Sequence, residues 1–261
     1  MNIAMLLEMA AEGMADRVAV GRREGGLGYV ELLERSRRIA SLVEASGVDR
    51  VGLVDVNSDA VPVLLFASAI AGVPFAPINY RLADDRLRSV SERIAPALVV
   101  AGEAARDRLA GVDGLETTTG AELAERVAGA QGKADGHTDP DQVAIWLFTS
   151  GTSGEPKAAL LRHRHLVSYV LSTVDFMAAG ADEATLVSVP PYHIAGMATI
   201  LSNTYAGRRL VYLPQFDPTD WVELADQEAV THAMVVPTML GRLLDAVEEL
   251  GASLPALRHL S

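Results

Sequence analysis

The sequence predicts an α/β fold in which two β-α-β-α-β half-units form doubly wound, mainly parallel sheets. Two observations carry this prediction. From residue 50 onward, short apolar runs typical of buried strands alternate with helical segments. The alternation resumes after residue 143, and another strand begins near residue 257. We therefore expect fold units of roughly 1–140 and 141–261, the second incomplete at its C-terminal end.

Composition excludes several classes of function. The 22 Lys and Arg residues face 34 Asp and Glu residues, a formal net charge of −12. Such a chain should repel nucleic acids and anionic membranes, so any bound anion needs local cations. The absence of cysteine excludes disulfides and thiolate metal sites and fits a reducing compartment. With no basic stretch at its start, the sequence is expected to be cytoplasmic.

One apolar stretch could be mistaken for a membrane span. Residues 60–80 carry no charge over 21 positions. Pro62, Pro74 and Pro77 interrupt the stretch, however, and Gly72 resembles a helix stop. The pattern therefore predicts a buried helix of about 12 residues followed by a buried parallel strand, too short to span a bilayer.

The N-terminal elements are predicted from caps and turns. Asn2 can cap a helix that runs to about Ala11. Residues 17–23 alternate like a strand and lead into a hairpin turn at 24–26. An amphipathic helix follows over 29–45 and ends at Gly47.

The alternating part of the chain is then assigned element by element. In the first unit, strands are expected at 51–54, 75–78 and 97–100, with helices from a Ser58 cap to Ala71 and over 83–94. The polar region 111–141 is interpreted as a surface excursion or linker. In the second unit, strands are expected at 158–161, 186–189, 210–213 and 233–236, with helices near 163–177, 195–205, 218–229 and 238–250.

The stretch 143–157 is the strongest candidate for a functional site. A buried strand runs directly into a loop of small and hydroxylated residues that ends at Lys157. Gly151 and Gly154 allow close backbone approach, and the hydroxyls and the lysine can bind an anion. An ordinary Gly/Ser-rich connection between two strands is the alternative. The stretch is not a Walker A loop, because Pro156 stands where that motif has Gly.

The order of residues in this loop is more informative than its composition. Phe148-Thr-Ser-Gly-Thr-Ser-Gly-Glu-Pro-Lys157 closely resembles the signature loop of the acyl-adenylate-forming superfamily, although Ala158 departs from the usual Gly. Three further segments match in order: Leu27-Gly-Tyr-Val-Glu-Leu32, Ala71-Gly-Val-Pro-Phe-Ala-Pro-Ile-Asn-Tyr-Arg-Leu82 and Pro191-Tyr-His-Ile-Ala-Gly196. The Asn-x-Arg-Leu ending of the second resembles the acyl-CoA synthetase branch.

This resemblance implies a two-step acid–CoA ligase. A carboxylate attacks the α-phosphate of Mg-ATP to give an acyl-adenylate and pyrophosphate, and the CoA thiol then displaces AMP. The implied substrates and cofactor are a carboxylic acid, ATP, CoA and Mg²⁺. The residues implied to bind the β- and γ-phosphates are Thr149, Ser150, Gly151, Thr152, Ser153, Gly154 and Lys157.

The resemblance also implies an acyl pocket. His193 would stand beside the reacting carboxylate as a polar wall rather than a proton donor; a helix-capping histidine is the alternative. Gly196 and Met197 would line the pocket. Val236, Pro237 and Thr238 are further candidates, although strand-end packing explains them equally well.

A metal site and a catalytic residue are both expected to be absent from these residues. His163 and His165 resemble a metal pair, but no third ligand is near, so no protein metal site is expected. The family's later motifs, including its catalytic lysine, do not occur in these residues. We therefore expect no catalytic residue here, an N-terminal portion of a longer ligase, and no activity from the 261 residues alone. A catalytically incomplete nucleotide- or partner-binding protein is the alternative.

Overall fold

The computed structural model describes residues 1–132, 139–149 and 156–261. The helices in these ranges are α1 Ala4–Gly13, α2 Tyr29–Ser46, α3 Ala60–Ala71, α4 Asp84–Glu92, α5 Glu103–Leu109, α6 Gly120–Val127, α7 His163–Thr173, α8 Ile194–Ala206, α9 Pro218–Gln227 and α10 Pro237–Leu250. The strands are β1 Val18–Val20, β2 Leu27–Gly28, β3 Arg50–Val54, β4 Phe75–Pro77, β5 Ala97–Ala101, β6 Leu115–Thr118, β7 Val143–Thr149, β8 Lys157–Arg162, β9 Ala184–Val187, β10 Arg209–Tyr212, β11 His232–Ala233 and β12 His259–Leu260.

Within the described residues the strands form two six-stranded sheets. Sheet I has the order β12-β11-β9-β10-β1-β2, and sheet II has the order β6-β5-β3-β4-β7-β8. Neighbouring strands are parallel except at one end of each sheet, where β1–β2 and β7–β8 are antiparallel. The predicted fold class, α/β with mainly parallel sheets, is confirmed.

The two sheets exchange strands across the boundary expected near residue 140. The N-terminal strands β1 and β2 belong to sheet I with β9–β12, while β7 and β8 extend sheet II. One buried apolar cluster contains side chains from both sheets, such as Leu53, Ile145 and Leu210, together with α1, α2, α3 and α8. The division into units of roughly 1–140 and 141–261 stays a prediction.

Helix ends follow the glycine signals in the sequence. Gly47 ends α2 with φ 67° and Gly72 ends α3 with φ 71°, both in the left-handed region that glycine adopts without strain. The predicted cap at Asn2 is displaced by one residue: Ile3 is the N-cap residue of α1, although the Asn2 Oδ1 accepts a hydrogen bond from the Ala4 backbone amide at 2.9 Å. The predicted Ser58 cap is wrong: Asp59 is the N-cap residue of α3, without a side-chain cap bond.

The apolar stretch 60–80 forms the buried helix and parallel strand that were predicted. Helix α3 is 12 residues long and almost wholly buried, and β4 pairs in parallel with β3. In the described part of the chain, every helix is too short or too polar to cross a bilayer.

The interpretation of 111–141 as an excursion or linker is wrong for residues 115–127. These residues form β6, the edge strand of sheet II, and α6. Thr119 and Glu122 form a capping box at the start of α6, with the Thr119 side chain accepting from the Glu122 amide at 3.2 Å. The hydrogen bond from the Thr119 amide, followed by that from Arg106, lowers the pKa of Glu122 to about 2. This capping pattern was readable in the sequence.

Candidate active site

The phosphate-loop candidate lies at the turn of the β7–β8 hairpin. Thr149 ends β7, Lys157 begins β8, and the two are paired across the ladder. The Thr149 hydroxyl donates to the Lys157 carbonyl at 3.3 Å, and both residues are exposed. The candidates Ser150, Gly151, Thr152, Ser153 and Gly154 lie outside the described residues. A hydroxyl and an ammonium group therefore flank the turn at the carboxyl end of β7.

The acyl-pocket candidates lie at the switch point of sheet I. From β9 the chain moves to β10 on one side and then to β11 on the other. The loop after β9 carries His193, and the segment after β11 carries Val236, Pro237 and Thr238, all four exposed. Because open α/β sheets bind ligands at the carboxyl ends of strands beside such a switch point, the topology brings these residues to a suitable place.

His193 is the N-cap residue of α8, but its side chain makes no capping hydrogen bond. Its ring packs instead against Tyr192, with ring centroids 4.8 Å apart. The cap is completed by the backbone, since the His193 carbonyl accepts from the Gly196 amide at 3.0 Å. The imidazole is thus exposed at the carboxyl edge, as a polar wall of a substrate site would require.

Gly196 and Met197 are buried residues in the first turn of α8, directly after His193. A Cβ at position 196 would stand 3.1 Å from the Pro190 carbonyl oxygen, so glycine permits α8 to approach the loop after β9. Met197 is completely buried in the core cluster shared by the two sheets. Its role in lining an acyl pocket stays a prediction.

Two sequence motifs that are more than 100 residues apart meet at this edge. Tyr80, in the loop after β4, contacts Tyr192 edge to face with centroids 6.0 Å apart. The Arg81 guanidinium lies 5.4 Å from the Tyr80 ring, and its Nε donates to the Tyr80 hydroxyl at 3.2 Å. Burial raises the pKa of Tyr192, Tyr80 raises it further, and Arg81 lowers it. Sequence reasoning identified both motifs but not their contact.

The Tyr80–Tyr192 contact brings the loop after β4, whose strand neighbours β7 in sheet II, against the acyl-pocket candidates. Strand β4 is parallel to β7, its neighbour in sheet II, so the loop with Tyr80 and the hairpin turn share one sheet edge. Tyr192 and His193 reach this edge from sheet I. The arrangement therefore places the β7–β8 connection, Tyr80, Tyr192 and His193 along one edge of the molecule.

Asn57 is a buried link between the sheets that sequence reasoning missed. It lies in the loop after β3 of sheet II and is 2% exposed. Its Nδ2 donates to the carbonyls of Val189 at 3.1 Å and Leu213 at 3.4 Å, at the carboxyl ends of β9 and β10. The backbone amide of Asn57 donates a further hydrogen bond to the Pro214 carbonyl at 3.3 Å. The loop that leads to His193 is thereby tied to sheet II.

Replacing Asn57 by alanine is expected to lower the free energy of unfolding by about 1–3 kcal/mol, because buried carbonyls lose their donor. Urea unfolding followed by circular dichroism measures the change. Asn57→Asp, which keeps the shape but loses the NH₂ donor, should be at least as destabilised. A loss below about 0.5 kcal/mol in both variants, the range of an ordinary surface change, would contradict the link.

The two histidines after β8 have different surroundings. His163 is 1% exposed, and its Nδ1 accepts a hydrogen bond from the Ile3 amide at 3.3 Å. His165 is exposed beside Arg164. Among the residues that the structure describes, no three His, Asp or Glu side chains are grouped as metal ligands.

The chain is similar to several known proteins over nearly its whole length. The chain is similar to the indoleacetate–CoA ligase of Aromatoleum aromaticum, with 28% identity over 94% of this chain and 51% of that protein. It is 30% identical to the long-chain-fatty-acid–CoA ligase of Thermus thermophilus, over 100% of this chain and 52% of that protein. The ATP-bound structure of MatB from Rhodopseudomonas palustris superposes with a TM-score of 0.83 at 29% identity, covering all of this chain and 54% of that one.

The chain thus spans about half the length of the relatives that it matches. Residues 7–261 match the family of AMP-binding enzymes. This range contains the hairpin and every candidate site residue described above. The chain belongs to the AMP-binding enzyme family.

Proposed function

We propose that this chain supplies the phosphate-binding hairpin and part of the acyl pocket of a ligase that activates a carboxylic acid with ATP. The acid becomes an acyl-adenylate with release of pyrophosphate, and a thioester with CoA follows. The observation that carries the proposal is the shared edge on which the β7–β8 turn, Tyr80, Tyr192 and His193 lie. Family membership and the names of the two ligase relatives support it.

The hairpin provides the groups that polyphosphate binding needs. Lys157 is an exposed ammonium beside the turn, and Thr149 is an exposed hydroxyl opposite it. On a chain with net charge −12, such a local cation is required to hold an anion. We assign the β- and γ-phosphates to Thr149, Lys157 and the intervening Ser150, Gly151, Thr152, Ser153 and Gly154.

The acid is proposed to lie against His193. The exposed imidazole would orient the carboxylate, while the neighbouring Gly196, Met197, Val236, Pro237 and Thr238 are proposed to shape the acyl pocket. The relatives' names contain acids as different as indoleacetate and a long-chain fatty acid. We therefore propose a small-molecule carboxylic acid as the substrate class.

The remaining components are proposals of the same kind. Mg²⁺ would be held mainly by the phosphates and water, as this ion prefers. Since the relatives are about twice as long, we propose that the catalytic lysine comes from polypeptide beyond the matched half. The 261 residues alone are then inactive, and the whole protein acts in the cytoplasm.

A panel of aryl, short-chain and long-chain acids tests the function. The protein encoded by the complete reading frame is mixed with Mg-ATP, CoA and each acid, and AMP release is measured. Acid-dependent AMP release with at least one acid is expected. No release with any acid, combined with measurable ATP binding, would instead favour a nucleotide-binding protein without catalysis. Acid- and ATP-dependent pyrophosphate release from residues 1–261 alone would contradict the proposed inactivity of this half.

A further inference from the structure

We infer that Arg93 is a positioning residue for the phosphate-binding hairpin. It is the C-cap residue of α4 and lies outside the four family motifs described above. Its guanidinium contacts both arms of the β7–β8 hairpin next to the turn. An effect of this contact on nucleotide binding rests on the proposed function, whereas its effect on the hairpin does not.

Two contacts of different kinds hold the hairpin. The Arg93 Nη1 donates to the Pro156 carbonyl oxygen at 2.5 Å, immediately before β8. The same guanidinium lies 5.1 Å from the centre of the Phe148 ring, near the end of β7. A hydrogen bond from a cation to a carbonyl and a cation–π contact with an aromatic ring are both attractive. The planar guanidinium can form the two at the same time.

The contacted positions are adjacent to the candidate phosphate ligands. Phe148 precedes Thr149, and Pro156 precedes Lys157, while Thr149 and Lys157 are paired across the ladder. Between these two, the structure gives a side-chain hydrogen bond of 3.3 Å from the Thr149 hydroxyl to the Lys157 carbonyl. Arg93 therefore adds a charge-assisted hydrogen bond and a ring contact to the backbone ladder and the hydroxyl bond that already join the two arms.

The arginine projects from a rigid support. Leu87 and Val90 of α4, and Ile94 just after it, are at most 1% exposed. Trp146 and Phe148 of β7 pack against the same apolar cluster. The backbone of Arg93 is thus anchored to the core of sheet II, and its exposed side chain reaches the hairpin from there, which is what positioning requires.

Hydrogen–deuterium exchange of the 261-residue chain tests the positioning directly. Arg93→Ala is compared with Arg86→Ala, which removes another exposed arginine, from within α4. Amides of the segment 157–162 are expected to exchange about tenfold faster in Arg93→Ala, because the hairpin opens more easily when the guanidinium no longer holds its two arms. No change in Arg86→Ala is expected. Unchanged exchange in Arg93→Ala, or an equal increase in both variants, would overturn the inference.

Titration with ATP distinguishes an effect of the shape of the Arg93 guanidinium on ATP binding from an effect of its charge. Arg93→Lys retains the positive charge. The lysine ammonium is not planar, however, and cannot both lie over the Phe148 ring and donate to the Pro156 carbonyl as the guanidinium does. Both Arg93→Ala and Arg93→Lys are expected to weaken ATP binding about tenfold with unchanged melting temperatures. Wild-type affinity in Arg93→Lys with weakened affinity in Arg93→Ala would show a role of charge alone and overturn positioning. If the wild-type chain does not bind ATP, the proposed function of this half fails, and the exchange experiment alone decides the role of Arg93.

Discussion

Replacing Lys157 by alanine is expected to weaken ATP binding by about 10- to 100-fold. The ammonium group is exposed at the end of the hairpin turn, where charge-assisted hydrogen bonds to phosphate oxygens contribute about 1.5–3 kcal/mol. Calorimetric titration with ATP measures the affinity, and steady-state kinetics of the whole enzyme measures the Michaelis constant for ATP.

The fold should survive this change. Because the Lys157 side chain is exposed, Lys157→Ala is expected to shift the free energy of unfolding by less than about 0.5 kcal/mol. Lys157→Arg, which keeps the charge, serves as the matched variant and should retain part of the affinity. Wild-type ATP affinity and turnover in Lys157→Ala would contradict the assignment of the hairpin.

Replacing Arg209 by methionine is expected to lower the free energy of unfolding by about 3–5 kcal/mol. The side chains of Arg209 and Glu228 are only 6% and 8% exposed, and their Nη1 and Oε2 atoms are 2.7 Å apart. Arg209 also donates to the carbonyls of Gly21 at 2.9 Å and Glu228 at 2.8 Å. The substitution would leave a buried carboxylate and two carbonyls without their cationic partner.

Two comparisons isolate the buried pair. Arg208→Met breaks the ion pair with Glu183, whose side chains are 19% and 16% exposed, and should cost less. The double variant Arg209→Met with Glu228→Leu removes both charges and should recover part of the stability lost in the single variant. Chemical denaturation gives each free energy. A loss below about 1 kcal/mol in Arg209→Met would contradict the importance of the pair for stability.

Local structure was largely predictable because its causes are local. The glycine stops at Gly47 and Gly72 and the apolar periodicity of α2 depend on neighbouring residues only. The segment 115–127 was missed because three of the four residues in its edge strand Leu-Glu-Thr-Thr are polar, so it lacks the apolar run of a buried strand. Thr119 and Glu122 nonetheless carry a readable capping signal.

Strand order was less accessible to sequence reasoning. Strand β1 pairs with β10, although Val20 and Leu210 are 190 positions apart. Likewise β8 forms an antiparallel hairpin with β7 instead of continuing the parallel pattern. Such pairings are decided by which surfaces bury together across the whole chain, and periodicity within a segment does not contain that information.

In the candidate site, too, local features could be predicted from the sequence, whereas long-range contacts could not. Ordered motifs pointed to Lys157 and His193, whose side chains would act on the ligand itself. Asn57 and Arg93 act on backbone carbonyls of distant segments, at Val189 and Pro156 respectively. Because a carbonyl is common to every residue type, no residue pattern marks its partner in the sequence.

Exchange of labelled pyrophosphate into ATP tests the proposed acid activation most directly, since adenylation of an acid is reversible and needs no CoA. The protein of the complete reading frame is incubated with Mg-ATP, labelled pyrophosphate and each acid of the panel. We expect that label enters ATP only when a suitable acid is present, and that Lys157→Ala exchanges at least about tenfold more slowly. Label incorporation that is independent of any acid, or equal rates in the wild type and Lys157→Ala, would contradict the proposed activation of an acid at this hairpin.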